Sequence, residues 1–114
     1  MENPKFQVFR SISDSKYYYR LRAKKGEIIL SGEGYLTKQS CFSGIQSVKT
    51  NAPYDSRYER KQSASHQYSF VLTAAKANGK IIGRSELYTT TFAREIGIAS
   101  VKKDAPLALT EDLT

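Results

Sequence analysis

An α+β fold of two tandem β-β-β-α(-β) repeats is predicted by three features of the sequence. The phrase GIQSVKTNAP at residues 44–53 returns as GIASVKKDAP at 97–106, each phrase follows a run with period two, and each belongs to a run with helical period. With Gly26 set over Gly79, 13 of the 28 positions from Gly26 to Pro53 are identical to their counterparts. Across a two-residue insertion, Tyr17, Leu21 and Ala23 then fall on Tyr68, Leu72 and Ala74. The chain is read as a single domain, 1–114, made of a first repeat, 1–56, and a second, 57–114. A chain of 114 residues is large enough for one core and small for two.

Each repeat has the same grammar. FQVFRS near the start and YERKQS at 58–63 stand in corresponding places and read as first strands. YYYRLRA at 17–23 alternates Tyr17, Tyr19, Leu21 and Ala23 with Tyr18, Arg20 and Arg22, the period of a half-buried strand. YSFVLTA keeps the apolar face as Tyr68, Phe70, Leu72 and Ala74, with Val71 and Thr73 standing where Arg20 and Arg22 stood. Gly26 and Asn78-Gly79 suit tight hairpin turns into third strands that begin at Ile28-Ile29 and Ile81-Ile82. Gly32, Gly34 and Gly83 mark bends or close backbone approach along them.

After Thr37 the period changes to that of a helix. Cys41, Ile45, Val48 and Ala52 recur at steps of four, three and four, with Thr37 as N-cap and Pro53 as stop. Ile98, Val101 and Ala105 repeat the stripe behind Thr90. Gly44 and Gly97, in helix interiors where glycine costs up to about 1 kcal/mol, imply close packing of helix on sheet or of helix on helix. Arg94 replaces Cys41, so its stem snorkels or that end of the second helix is splayed. The tail LALTEDL fits a short edge strand or a segment wrapped on the body.

The stretches RLRAKKGEIILSGEGYLTKQSCFSGIQSVKTNAP and LTAAKANGKIIGRSELYTTTFAREIGIASVKKDAP resemble the two copies of the YegP-like bacterial family, a tandem-repeat domain of unknown function. The resemblance covers nearly the whole chain. It implies two helices on one face of a shared antiparallel sheet, with pseudo-two-fold symmetry and the final strand of one unit pairing into the other. It brings no reaction, cofactor or binding residue with it.

The residues themselves offer little chemistry. One cysteine, Cys41, excludes an internal disulfide and suggests a reduced compartment, and no Cys/His spacing suits zinc. No apolar run approaches the roughly 18 residues of a membrane span, so a cytoplasmic protein without a membrane partner is expected. His66 lies in QSASHQY as an exposed turn residue, and Cys41 on the buried stripe behaves as a small hydrophobe. No catalytic residue, metal ligand or cofactor site is assigned.

Two surfaces remain. Glu33, Tyr35 and Thr37, with Glu86, Tyr88 and Thr90, lie at equivalent strand-to-helix junctions and would form a symmetric pair of grooves, or serve locally as cap and packing groups. Tyr18, Arg20 and Arg22, with Arg84 or Arg10 nearby, would line an uncovered sheet face. The net charge is +7, and residues 1–53 carry nine Lys/Arg against four Asp/Glu. A small, monomeric, non-enzymatic binding module is expected, with nucleic acid or an acidic protein as partner; the alternative is a single-stranded nucleic-acid binder using the basic, tyrosine-bearing face.

Overall fold

The computed structural model describes residues 3–74 and 79–114. The strands are β1 (Lys5–Arg10), β2 (Tyr17–Arg22), β3 (Ile28–Ser31), β4 (Tyr58–Gln62), β5 (Tyr68–Ala74), β6 (Lys80–Arg84) and β7 (Leu109–Asp112); the helices are α1 (Lys38–Asn51) and α2 (Thr91–Asp104). One sheet runs through both repeats in the order β4-β5-β6-β3-β2-β1-β7. The alternation read from the sequence decides which side of it is buried: Phe6, Val8, Tyr19, Leu21, Phe70 and Leu72 face the helices and are fully or almost fully buried.

The two repeats meet at β3 and β6, where Ser31 pairs with Arg84. These two residues are counterparts in the repeat alignment, so the pseudo-two-fold axis passes through their pair. On the core side, their predecessors are the unequal pair Leu30 and Gly83. A Cβ at Gly83 would approach Leu30 Cδ2 to 2.7 Å, so the leucine fills space that the glycine leaves. The Tyr19 hydroxyl also crosses the joint and donates to the Ile82 carbonyl.

Each repeat stacks three rings beneath its helix. Phe6 meets Tyr19 edge-on at 5.9 Å and Tyr19 stacks on Tyr35 at 6.4 Å; Tyr58 meets Phe70 edge-on at 5.7 Å and Phe70 stacks on Tyr88 at 6.5 Å. Tyr35 and Tyr88 end on the helices, and this explains the two interior glycines. A Cβ at Gly44 would lie 2.6 Å from Tyr35 Cζ, and one at Gly97 would lie 2.8 Å from Tyr88 Cζ. Of the two accounts of these glycines, close packing of helix on sheet aromatic is therefore the one realised.

Helix ends follow the sequence signals. Thr37 Oγ1 accepts from Ser40 N at 3.0 Å and Thr90 Oγ1 from Ala93 N at 3.0 Å. Cys41, Ile45, Val48 and Ala52 are buried, as are Ile98, Val101 and Ala105. Arg94 snorkels: its guanidinium lies 5.6 Å from the Tyr68 ring centroid, Nη1 reaches the Lys61 carbonyl at 3.2 Å and Nε pairs with Glu95 at 3.1 Å.

The sheet is mixed, and here it departs from the fully antiparallel sheet expected. Five of the six pairings between described strands are antiparallel, whereas β7 runs parallel to β1, from Lys5 opposite Leu109 to Val8 opposite Asp112. The cause is the approach of the tail from α2. A 3₁₀ turn at Ala105–Leu107 delivers it to the Lys5 end of β1, Lys49 Nζ holds the Ala108 carbonyl at 2.7 Å, and Leu113 N donates to Val8 O at 2.8 Å. The edge-strand reading of LALTEDL is thus realised. The expected Asn78-Gly79 turn lies partly outside the described residues; Gly79 has φ +77° and Gly26 has φ +92°.

The opposite edge, β4, ends the sheet and carries charge where β1 carries apolar bulk. Arg60 replaces Val8 in register, opposite Phe70 as Val8 is opposite Tyr19, and pairs with Asp55 at 3.0 Å and Glu95 at 2.9 Å. Lys102 also reaches Asp55, at 2.7 Å. Hydrogen bonds from Lys102 and Arg60 pull the Asp55 carboxyl down to about 2 from its ordinary 3.8.

Gly44→Ala and Gly97→Ala are each expected to destabilise by about 1–3 kcal/mol in urea denaturation, because the tyrosine must leave the helix. At an open helix site the same change would stabilise by up to about 1 kcal/mol. Because Asp55 titrates lower in the folded state, its contribution to stability is complete above pH 3.8 and fades as the pH falls toward about 2. Asp55→Asn should therefore flatten the acid limb of a stability-versus-pH curve between those values.

Candidate functional site: the open sheet face

Strand alternation places Lys5, Gln7 and Phe9 of β1 opposite Arg22, Arg20 and Tyr18 of β2, all on the face away from the helices. One row crosses the whole sheet there, from Glu111 through Gln7, Arg20, Ser31, Arg84 and Val71 to Glu59. At neighbouring-strand spacings of about 4.8 Å, Arg84 sits about 10 Å from Arg20 at the backbone. Tyr18, Arg20, Arg22 and Arg84 therefore share one surface. Arg10 does not join them: it alternates to the other side, where its guanidinium lies 5.5 Å from the Tyr17 ring centroid.

Gln7 organises the two central arginines. Its Oε1 accepts from Arg20 Nε at 2.9 Å and from Arg22 Nε at 2.6 Å, while its Nε2 donates to Glu111 at 2.8 Å. Arg22 is further fixed by a bond from Nη1 to the Gly26 carbonyl at 2.6 Å. Among the described residues, no carboxylate forms an ion pair with Arg20 or Arg22. Two half-buried guanidinium charges are thus held in place by neutral acceptors.

Beside them lie two stacked rings. Phe9 and Tyr18 are 5.9 Å apart and 19° from parallel, and the Arg20 guanidinium covers Phe9 at 4.7 Å. The Tyr18 hydroxyl donates to Asp14 at 2.5 Å, a bond that raises the phenol and lowers the carboxyl from their ordinary values. Gln7 and Phe9 were not singled out by the sequence reading. Their signal is the alternation of KFQVFR, which becomes informative once its register against β2 is known.

The second repeat lacks this surface. Arg84 is taken up by Glu33 at 3.1 Å, Val71 is closed in between its neighbours Glu59 and Arg84, and Thr73 donates to the Arg57 carbonyl at 2.9 Å. The symmetric trios separate into different roles. Thr37 and Thr90 cap helices, Tyr35 and Tyr88 press on Gly44 and Gly97, and Glu33 turns to the open face. Glu86, with Tyr88, instead borders a depression between β3 and α2.

The remaining candidates for chemistry are accounted for. His66 is an exposed turn residue with φ 62°, and its counterpart in the first hairpin, Ser15, has φ 61°. Cys41 is buried, and burial raises its thiol to about 11. Among the described residues no group of three His, Cys, Asp or Glu is placed to hold a metal ion, and no helix is long and apolar enough to cross a membrane.

Residues 13–59 and 63–112 each match the family model described as a domain of unknown function, DUF1508. The chain belongs to the DUF1508 family. Its similarity to the UPF0339 protein of Bordetella pertussis is 50% identity over 102 residues, 90% of each chain. Among solved structures, the solution NMR structure of yegP from E. coli, titled a protein of unknown function, superposes with a TM-score of 0.90 at 39% identity, over 100% of this chain and 96% of that one. The UPF0339 protein of Shewanella oneidensis gives 0.89 at 36% identity, over 100% and 93%. The family model matches twice, once in each half of the chain, and these descriptions assign no activity to the family members.

Native Cys41 is expected to resist alkylation at pH 8 and to react fully once the chain is unfolded in urea, followed by intact-mass measurement.

Proposed function

We propose that the protein is a non-enzymatic, monomeric binding module of the bacterial cytoplasm whose open sheet face takes a polyanion, single-stranded nucleic acid being the ligand it fits best. The observation that carries this reading is the pair Arg20 and Arg22, held by Gln7 and, among the described residues, without carboxylate partners, next to the stacked rings of Phe9 and Tyr18. Guanidinium groups neutralise phosphates, and exposed ring faces stack bases without regard to sequence. The net charge of +7 adds a favourable long-range field. The buried, unpaired Cys41 is consistent with a reducing compartment.

A second reading, an acidic extended protein segment as partner, is favoured by one contact within the molecule. Strand β7 lays its own Glu111 along this face, within 3.7 Å of Lys5 and hydrogen-bonded to Gln7 at 2.8 Å.

Fluorescence anisotropy with mixed single-stranded RNA and DNA oligonucleotides at low salt tests the first reading. Arg20→Ala with Arg22→Ala should make the log-log salt dependence shallower by about 1.4, and Tyr18→Ala should cost about 1–3 kcal/mol of binding. Oligonucleotides that leave the amide signals of β1 and β2 unmoved would dismiss this reading. Displacement of a bound acidic peptide without any oligonucleotide binding would select the second.

A further inference from the structure

Internal duplication provides a control for reading the depression between β3 and α2. Its cavity volume is about 360 Å³, and its walls include Ile29, Tyr88, Ala93 and Ile96, with Glu27 and Glu86 among them. Among the described residues, neither carboxylate forms an ion pair. Both line the depression beside Tyr88. They are two acids without an ion pair among the described residues, in a chain of net charge +7.

The symmetry-related positions, between β6 and α1, are filled differently. Lys80 is the counterpart of Glu27, Ser40 of Ala93 and Ser43 of Ile96. Glu33, the counterpart of Glu86, is neutralised by Arg84 at 3.1 Å, whereas Ser31 takes the place of that arginine in the first repeat. The residues that the fold requires, the tyrosine and the helix glycine it presses on, are kept in both repeats. Packing alone would act on both copies alike. The differences concern what a ligand would meet: an apolar wall, with Ile96 still 52% exposed, and bare negative charge.

We propose that this groove is a binding site for a small organic cation, a primary ammonium or guanidinium on an apolar body of a few carbon atoms. The volume lies near the lower end for small-molecule sites, which run from about 300 to 1,000 Å³, and leaves no room for a helix. The cation sits between Glu27 and Glu86 beside Tyr88, and the apolar body lies along Ile29 and Ile96. The site is separate from the open sheet face and does not depend on the function proposed for that face.

NMR titration of the ¹⁵N-labelled full chain with n-hexylammonium, 1-hexanol and hexanoate tests it, with a Leu-Lys-Leu peptide amide as a fourth arm. Saturable shifts at Ile28, Tyr88, Ile96 and Ser100 are expected with hexylammonium, at least about fivefold tighter than with hexanol. Glu27→Lys, which installs the residue of the equivalent position Lys80, should abolish that preference, and Ile96→Ser should weaken binding while retaining it. Equal response to hexylammonium and hexanol, no saturable response, an unchanged affinity in Glu27→Lys, or binding of the peptide alone would each overturn the proposal.

Discussion

The joint between β3 and β6 is the contact on which the rest of the molecule depends. It is narrow, with Ser31 opposite Arg84 as its one aligned pair, yet it turns two three-stranded units into one sheet. Because those residues are counterparts, the joint lies on the pseudo-two-fold axis, where a side chain packs beside its own counterpart and two of equal bulk would crowd each other. Leu30 against Gly83 resolves the conflict by making the pair unequal. Tyr19 does the same for polarity: its hydroxyl satisfies the Ile82 carbonyl, while its counterpart Phe70 has none to offer. Gly32 is what lets the Tyr19 ring lie there, since any Cβ at that position would collide with it.

From this joint outward the repeats agree in the core and differ at the surface. Both keep a three-ring stack that ends on a helix glycine, a threonine cap, and a lysine over the first ring, Lys49 over Phe6 and Lys102 over Tyr58. The edges diverge. Next to β1 a seventh strand completes the sheet, and at β4 the ion pairs of Arg60 close the edge to further pairing. The faces diverge too, with arginines held by Gln7 and stacked rings on the first repeat and an acidic, apolar groove against the helix of the second. Duplication leaves one copy of each surface free to change once the other maintains the fold.

Much of this was legible in the residues. A period of two found β2 and β5, corresponding position and turn residues found the first and third strands of each repeat, a period near four found both helices, and the threonine caps stand where the side-chain chemistry demands them. Gln7 and Phe9 were not recognised as site residues, because KFQVFR says which residues alternate but not which strand lies alongside. The sense of β7 was also out of reach, since it depends on where α2 delivers the tail. The split of Glu33, Tyr35 and Thr37 had the same origin: adjacency in sequence does not reveal that a glutamate will turn to a cross-axis arginine while a tyrosine turns to a helix.

The sequence by itself determined the duplication, the α+β class, the buried stripe of each helix and the membership of its family, because these are local periodicities written twice. Only the tertiary structure decided that Ser31 and Arg84 meet, that Gln7 holds two arginines, and that Glu27 from one repeat and Glu86 from the other share a groove. Those juxtapositions join residues far apart in the chain, and their distances are fixed by strand register and helix packing rather than by any local preference.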